Sequence, residues 1–142
     1  PIYLRECGTC HFAYLPGMLP ARSWRALMAR SDDHFGEALS LAPDVARRIE
    51  QYLVSESADR SEYRGAGAIL YLLGDDVTPV RITALPLMRQ RHIVVRKLLP
   101  QTGIKGLTNC GDCHEKAATG SFAYEEIVVR GVTKIIEPGG MF

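Results

Sequence analysis

The sequence carries the stretch Cys7-Gly8-Thr9-Cys10-His11 near its start and repeats the pattern as Cys110-Gly111-Asp112-Cys113-His114 near its end. Both stretches read C-x-x-C-H, which is the attachment pattern of c-type haem. Residues at i, i+3 and i+4 of a helical turn share one face, so two cysteines can reach the vinyl groups of one porphyrin. The histidine then faces the iron from the same side. The stretches therefore predict two covalently bound haem c groups.

Each predicted haem has three attachment residues: Cys7, Cys10 and His11 for the first, and Cys110, Cys113 and His114 for the second. Two C-x-x-C pairs could instead bind one structural zinc ion. The gap between the pairs is far longer than in such sites, and zinc does not need a histidine after each pair. A thioredoxin-like dithiol requires a strand–helix unit around the motif, and no strand-rich segment precedes Cys7.

Length and composition limit the architecture. The chain has 142 residues, 46% of them hydrophobic, which is enough for one domain or two small lobes. Its net charge of +1 gives no indication of a nucleic-acid partner. No apolar run approaches the eighteen or so residues of a membrane-spanning helix.

Local patterns predict a mainly α-helical, cytochrome c-like fold with little strand, packed around the haems. Helices are expected over residues 23–30, 43–57, 62–73 and 87–99, with Ser23 as an N-cap and Gly74 as a C-cap. Residues 80–86 are expected to be extended because prolines disfavour helix just before them. Residues 127–129 and Val132 give a weak strand signal.

Two lobes are expected, one for each haem. Residues 74–79 form the best linker candidate, because they combine glycine, proline and acidic residues. We therefore assign residues 1–75 to an N-terminal haem lobe and residues 76–142 to a C-terminal haem lobe.

The four histidines match the number of axial positions at two haem irons. His11 and His114 follow the cysteines as proximal ligands, and His34 and His92 remain to fill the opposite positions. This count favours bis-histidine ligation of both irons. Sequence proximity favours His34 with the haem of His11 and His92 with the haem of His114, although a crossed pairing stays open.

Methionine is the competing axial ligand, and it would raise the reduction potential. The chain offers Met18, Met28, Met88 and, less favourably, Met141. A sixth position without a protein ligand is the other alternative, and it would make a sensor or a peroxidase-like enzyme that binds a small ligand.

The chain resembles the bacterial dihaem cytochrome c family, a group of small periplasmic proteins. The resemblance rests on both haem motifs and on three stretches between them: residues 12–24, the turn Asp33-His34-Phe35-Gly36, and Pro79-Val80-Arg81-Ile82-Thr83. It extends over about residues 7–122 and includes His92.

This resemblance implies two low-spin haems with histidine on both faces, where His34 and His92 are the distal ligands. It also implies that the protein is a periplasmic electron carrier and not an enzyme. The expected acceptor is a small monohaem cytochrome c, and the expected donor is a membrane b-type cytochrome. A periplasmic location also follows from the cofactor, because bacteria attach haem c outside the cytoplasmic membrane.

Overall fold

The structure, a computed structural model, describes residues 2–104 and 106–129. These residues form six α-helices and no β-strand, which confirms the prediction of a mainly helical protein. The helices are α1 (Ile2–Cys7), α2 (Ala21–Met28), α3 (Pro43–Ser55), α4 (Ala66–Leu73), α5 (Pro86–Arg91) and α6 (Ile93–Thr102). Six short 3-10 helices lie between and after them: Pro16–Met18, Ser31–Asp33, Ile82–Ala84, Cys110–Asp112, Ala117–Thr119 and Tyr124–Glu126.

Helices α2 and α3 pack against each other and supply much of the apolar core of the N-terminal part. Trp24 and Ile49 are buried, and the indole Nε1 of Trp24 donates a hydrogen bond to the carbonyl of Pro16 at 2.8 Å. Tyr52 follows the helical spacing of the buried residues Ile49 and Leu53 of α3, but it is 37% exposed. Ser23 was expected to cap α2, but the helix begins at Ala21 because Pro20 already occupies the N-cap position.

Glycine ends α4 as expected. Gly74 has a φ of 71°, a backbone conformation that costs glycine little, and its N–H bonds to the carbonyl of Leu70. The helix starts at Ala66, four residues later than predicted. Residues 82–84 form a 3-10 turn where extended chain was expected, since the N–H of Leu85 bonds back to Ile82.

The single helix predicted over residues 87–99 is interrupted at His92. This residue has a φ of −108° and a ψ of 15°, outside the α-helical range, and it serves as the N-cap of α6. Its carbonyl accepts a hydrogen bond from the N–H of Arg96 at 2.9 Å. The predicted ligand therefore lies at a junction between two short helices.

The chain divides into two compact units, Pro1–Arg91 and His92–Phe142. The first unit has an extensive apolar core that includes Met18, Ile49 and Leu85. In the second unit, Ala117 and Val129 are the only buried apolar side chains among residues 92–104 and 106–129. The lobes predicted as 1–75 and 76–142 stay a prediction, and either division keeps each haem motif with its nearest distal histidine.

Candidate haem sites

The first haem motif begins where α1 ends. Cys7 is the last helical residue, and the N–H of Gly8 still bonds to the carbonyl of Leu4 at 3.1 Å. A Cβ on Gly8 would lie 2.6 Å from that carbonyl oxygen, so the motif requires glycine here. Only the start of this motif continues the helix, whereas the sequence predicted one helical turn across all of it.

His11 and His34 face each other in the first unit. Their ring centroids lie 6.3 Å apart, and the ring planes differ by 16°. Two imidazoles that bind one metal ion from opposite sides, with nitrogens at about 2.0 Å, have centroids about 6 Å apart. The two rings are therefore spaced to ligate one iron.

A hydrogen bond orients the proximal ring. The Nδ1 of His11 lies 2.8 Å from the carbonyl of Phe12, and an N–H donated there leaves Nε2 as the free ligand nitrogen. Metal-bound histidines commonly donate their second ring N–H to a backbone carbonyl in this way. The carbonyl of Phe12 gave no signal in the sequence, because any residue supplies one.

The second haem motif folds as a 3-10 turn over Cys110–Asp112, and the N–H of His114 bonds to the carbonyl of Cys110 at 2.8 Å. The chain returns to this motif after residue 126. The N–H of Val128 bonds to the carbonyl of Cys113 at 2.9 Å, and Ile127 forms an isolated antiparallel bridge with His114. The weak strand signal over residues 127–129 thus corresponds to this bridge, and Val132 lies outside the described residues.

His92 and His114 form a second pair, entirely within the second unit. Their ring centroids lie 6.1 Å apart, and the planes cross at 75°. The ring of Phe122 lies 5.1 Å from that of His114. This spacing again fits two imidazoles on opposite sides of one metal ion. The structure thus brings the histidines together in the uncrossed arrangement.

One histidine in each pair has a lowered pKa, which favours the neutral form that binds a metal ion. Burial, followed by the charge of His11 and then of Arg81, lowers the pKa of His34. Burial and the neighbouring His92 lower the pKa of His114. The Nδ1 atoms of His34 and His114 are buried with no hydrogen-bond partner among the described residues. A neutral imidazole binds a metal ion through one ring nitrogen, so the lowered pKa values suit His34 and His114 to ligation.

The methionines considered as competing ligands lie in different parts of the chain. Met18 and Met28 are buried in the core of the first unit, Met88 lies in α5, and Met141 lies outside the described residues. Residues 2–104 and 106–129 contain no cluster of three or more His, Cys, Asp or Glu side chains that could hold a metal ion.

Before haem attachment, the free thiols of Cys7 and Cys110 have raised pKa values. Burial raises the pKa of Cys7 and of Cys110 to about 11 in each case.

No helix in the described part of the chain is long and apolar enough to cross a membrane. A helical fold with two C-x-x-C-H motifs, each with a second histidine opposite the first, defines a c-type cytochrome with more than one haem.

Comparison with known proteins identifies the family. The dihaem cytochrome c family matches residues 3–122, and the chain belongs to this family. It therefore carries two covalently bound haem c groups. A diheme cytochrome c from Rhodobacter sphaeroides is similar, with 38% identity, a TM-score of 0.73, and coverage of 86% of this chain and 95% of that one.

A diheme cytochrome c from Shewanella baltica is also similar, with 31% identity, a TM-score of 0.70 and 90% coverage of each chain. A second Rhodobacter sphaeroides structure, titled DHC, matches with 39% identity, a TM-score of 0.68, and coverage of 86% of this chain and 96% of that one. The comparison with curated proteins gave no match.

Proposed function

We propose that the protein is an electron carrier whose two haem irons are each ligated by two histidines, His11 with His34 and His92 with His114. The observation that supports this most strongly is the spacing of the two ring pairs, 6.3 Å and 6.1 Å between centroids. A carrier needs an iron site whose ligands stay in place in both oxidation states. Two imidazoles fixed on opposite sides meet that need.

The haems supply reversible one-electron oxidation and reduction when bound. Cys7 with Cys10, and Cys110 with Cys113, hold them covalently through thioether bonds. The two histidines of each pair would hold one iron between them and would exclude small ligands such as oxygen or carbon monoxide. Imidazole as the second ligand, in place of a methionine thioether, gives a lower reduction potential.

The location and partners are part of the same proposal. Covalent haem attachment and the family resemblance support a periplasmic carrier. Its acceptor would be a small monohaem cytochrome c, and its donor a membrane b-type cytochrome. The contact with either partner is expected to be small and weak, as is common in electron-transfer encounters.

Absorption spectra of the purified holoprotein test the ligation. We expect two haems per chain, and we expect carbon monoxide to leave the spectrum of the reduced protein unchanged. A shift of the Soret band for half of the haem would overturn the proposal in favour of a ligand-binding site.

Two substitutions assign the distal ligands. His34→Ala and His92→Ala should each make one haem high-spin and able to bind carbon monoxide, with the other haem unaffected. Tyr71→Ala is a suitable control because Tyr71 is 87% exposed on α4. A low-spin spectrum in His34→Ala identical to that of the unmodified protein would contradict the assignment of His34.

A further inference from the structure

The turn that carries His34 has an unusual residue at its centre. His34 and Glu37 exchange two backbone hydrogen bonds, of 2.7 and 3.3 Å, across Phe35 and Gly36. Both central residues have positive φ, 59° at Phe35 and 99° at Gly36. This is the pattern of a type I′ turn, which is normally built from Asn, Asp or Gly. A bulky residue at positive φ is an outlier.

The turn itself is fixed by other groups. The N–H of Gly36 donates to the carboxylate of Asp33 at 3.1 Å, and Arg30 bonds to the other carboxylate oxygen at 3.3 Å. These bonds involve no atom of the Phe35 ring. The closure of the turn therefore does not explain why a phenyl ring is present.

The Phe35 ring contacts the distal histidine. Its centroid lies 4.7 Å from that of His34, with the planes tilted by 58°. The guanidinium carbon of Arg81 lies 3.9 Å from the Phe35 centroid, in cation–π geometry. Leu27 and Val80 line the same small cavity as the two rings. The Phe35 ring thus contacts both the imidazole of His34 and the cation of Arg81.

His34 lacks the hydrogen bond that usually orients a ligating imidazole. At His11 the carbonyl of Phe12 has this role, but the buried Nδ1 of His34 has no partner in the described part of the chain. The rotation of the His34 ring must then be set by packing. Phe35 is the aromatic ring that contacts it on its own side of the pair.

We propose that Phe35, held by Arg81, is a positioning residue that fixes the ring plane of His34 nearly parallel to that of His11 and keeps the distal ligand in place. This rests on the proposed ligation of the first haem iron by His34. It also gives a function to two of the stretches on which the family resemblance rests, the Asp33–Gly36 turn and the segment around Arg81.

The test distinguishes the effect of the Phe35 phenyl ring from the effect of the turn conformation. Phe35→Asn removes the phenyl group but suits positive φ, so the variant should be at least as stable as the unmodified protein to thermal unfolding. Phe35→Tyr keeps the ring and is the conservative variant, and Tyr71→Asn is the matched control at an exposed aromatic position. The measurements are low-temperature EPR of the ferric holoprotein and carbon monoxide binding after reduction.

We expect Phe35→Asn to shift the largest g value of one haem signal, or to make part of that haem bind carbon monoxide, while Phe35→Tyr and Tyr71→Asn match the unmodified protein. Unchanged g values and no carbon monoxide binding in Phe35→Asn would overturn the proposal. So would an equal effect of Phe35→Tyr. If Phe35→Asn fails to fold, Arg81→Gln gives the same test, because it leaves the turn intact.

Failure of the proposed function would look different. In that case the unmodified protein would itself bind carbon monoxide, or His34→Ala would keep two low-spin haems. Failure of the positioning role leaves both of those results as expected and changes only the response of the Phe35 and Arg81 variants.

Discussion

The imidazole planes of His92 and His114 cross at 75°, whereas those of His11 and His34 lie within 16° of parallel. The ring spacings are nearly equal, so the two sites differ in orientation and not in separation. Imidazole donates π-electron density mainly perpendicular to its ring plane. Parallel rings therefore act on one iron d orbital, and crossed rings act on two.

This difference predicts two distinct low-spin EPR signals in the ferric protein. The first haem should give a rhombic spectrum, because parallel rings split the d orbitals. The second should give a more axial spectrum with a larger maximum g value. His92→Ala should remove the axial signal and leave the rhombic one. Two superimposable rhombic signals would contradict the crossed geometry of the second site.

Arg81 should raise the reduction potential of the first haem. Its guanidinium lies beside the Phe35 ring, next to His34, and a nearby positive charge favours the reduced iron. Arg81→Gln should lower one of the two potentials by on the order of tens of millivolts, and less at high salt.

Spectroelectrochemical titration measures this effect. Arg81→Lys keeps the charge and should retain most of the potential, and Arg47→Gln on the exposed face of α3 is a control for net charge. Equal shifts in Arg81→Gln and Arg47→Gln would show that only the total charge matters.

The two motif glycines should respond differently to alanine. A Cβ on Gly8 would clash with the carbonyl oxygen of Leu4 at 2.6 Å, while a Cβ on Gly111 meets nothing within 4 Å. Gly8→Ala should reduce the free energy of unfolding by about 1–3 kcal/mol, the usual cost of overpacking. Gly111→Ala should leave it almost unchanged. Denaturant unfolding of the holoproteins provides the comparison, and equal losses would argue against the clash.

Ser23 and Ser57 should also respond differently to replacement by alanine. Both side chains are fully buried, but the hydroxyl of Ser23 has no hydrogen-bond partner among the described residues. The hydroxyl of Ser57 donates to the carbonyl of Val54 at 2.9 Å. Ser23→Ala should be neutral or stabilising by about 1 kcal/mol, and Ser57→Ala destabilising by a similar amount.

Ser23→Ala also tests whether Ser23 caps α2, as the sequence predicted, or is a buried hydroxyl, as in the structure. If Ser23 capped α2, its replacement by alanine would cost about 1 kcal/mol. Chemical denaturation therefore decides between a cap and a buried hydroxyl.

The sequence predicted those features that depend on the local backbone preference of a residue or on the number of histidines available as ligands. Pro43 starts α3 and Gly74 ends α4 because their backbones favour those positions. The four histidines were assigned from the number of axial positions, and the structure brings them into two pairs. The ligation itself stays a prediction.

Other features depend on tertiary packing and have no local signal. The helix break at His92 involves neither glycine nor proline, so the apolar pattern on both sides resembles one continuous helix. Tyr52 follows the helical period of the core but is too exposed to belong to it. The angle between two imidazole planes is a tertiary feature, and a contact such as that of Phe35 with His34 leaves no periodic signal in the sequence.

The few buried apolar side chains in the described part of the second unit bear on how the protein matures. Among residues 92–104 and 106–129 only Ala117 and Val129 are buried apolar side chains, so a porphyrin would add apolar surface to this part of the interior. The first unit has an apolar core of its own, so we expect it to begin folding without its cofactor. A chain that has received only its first haem would be half assembled, with Cys110 and Cys113 still accessible to the attachment machinery. Folding of the second unit would thus depend on attachment of the second haem.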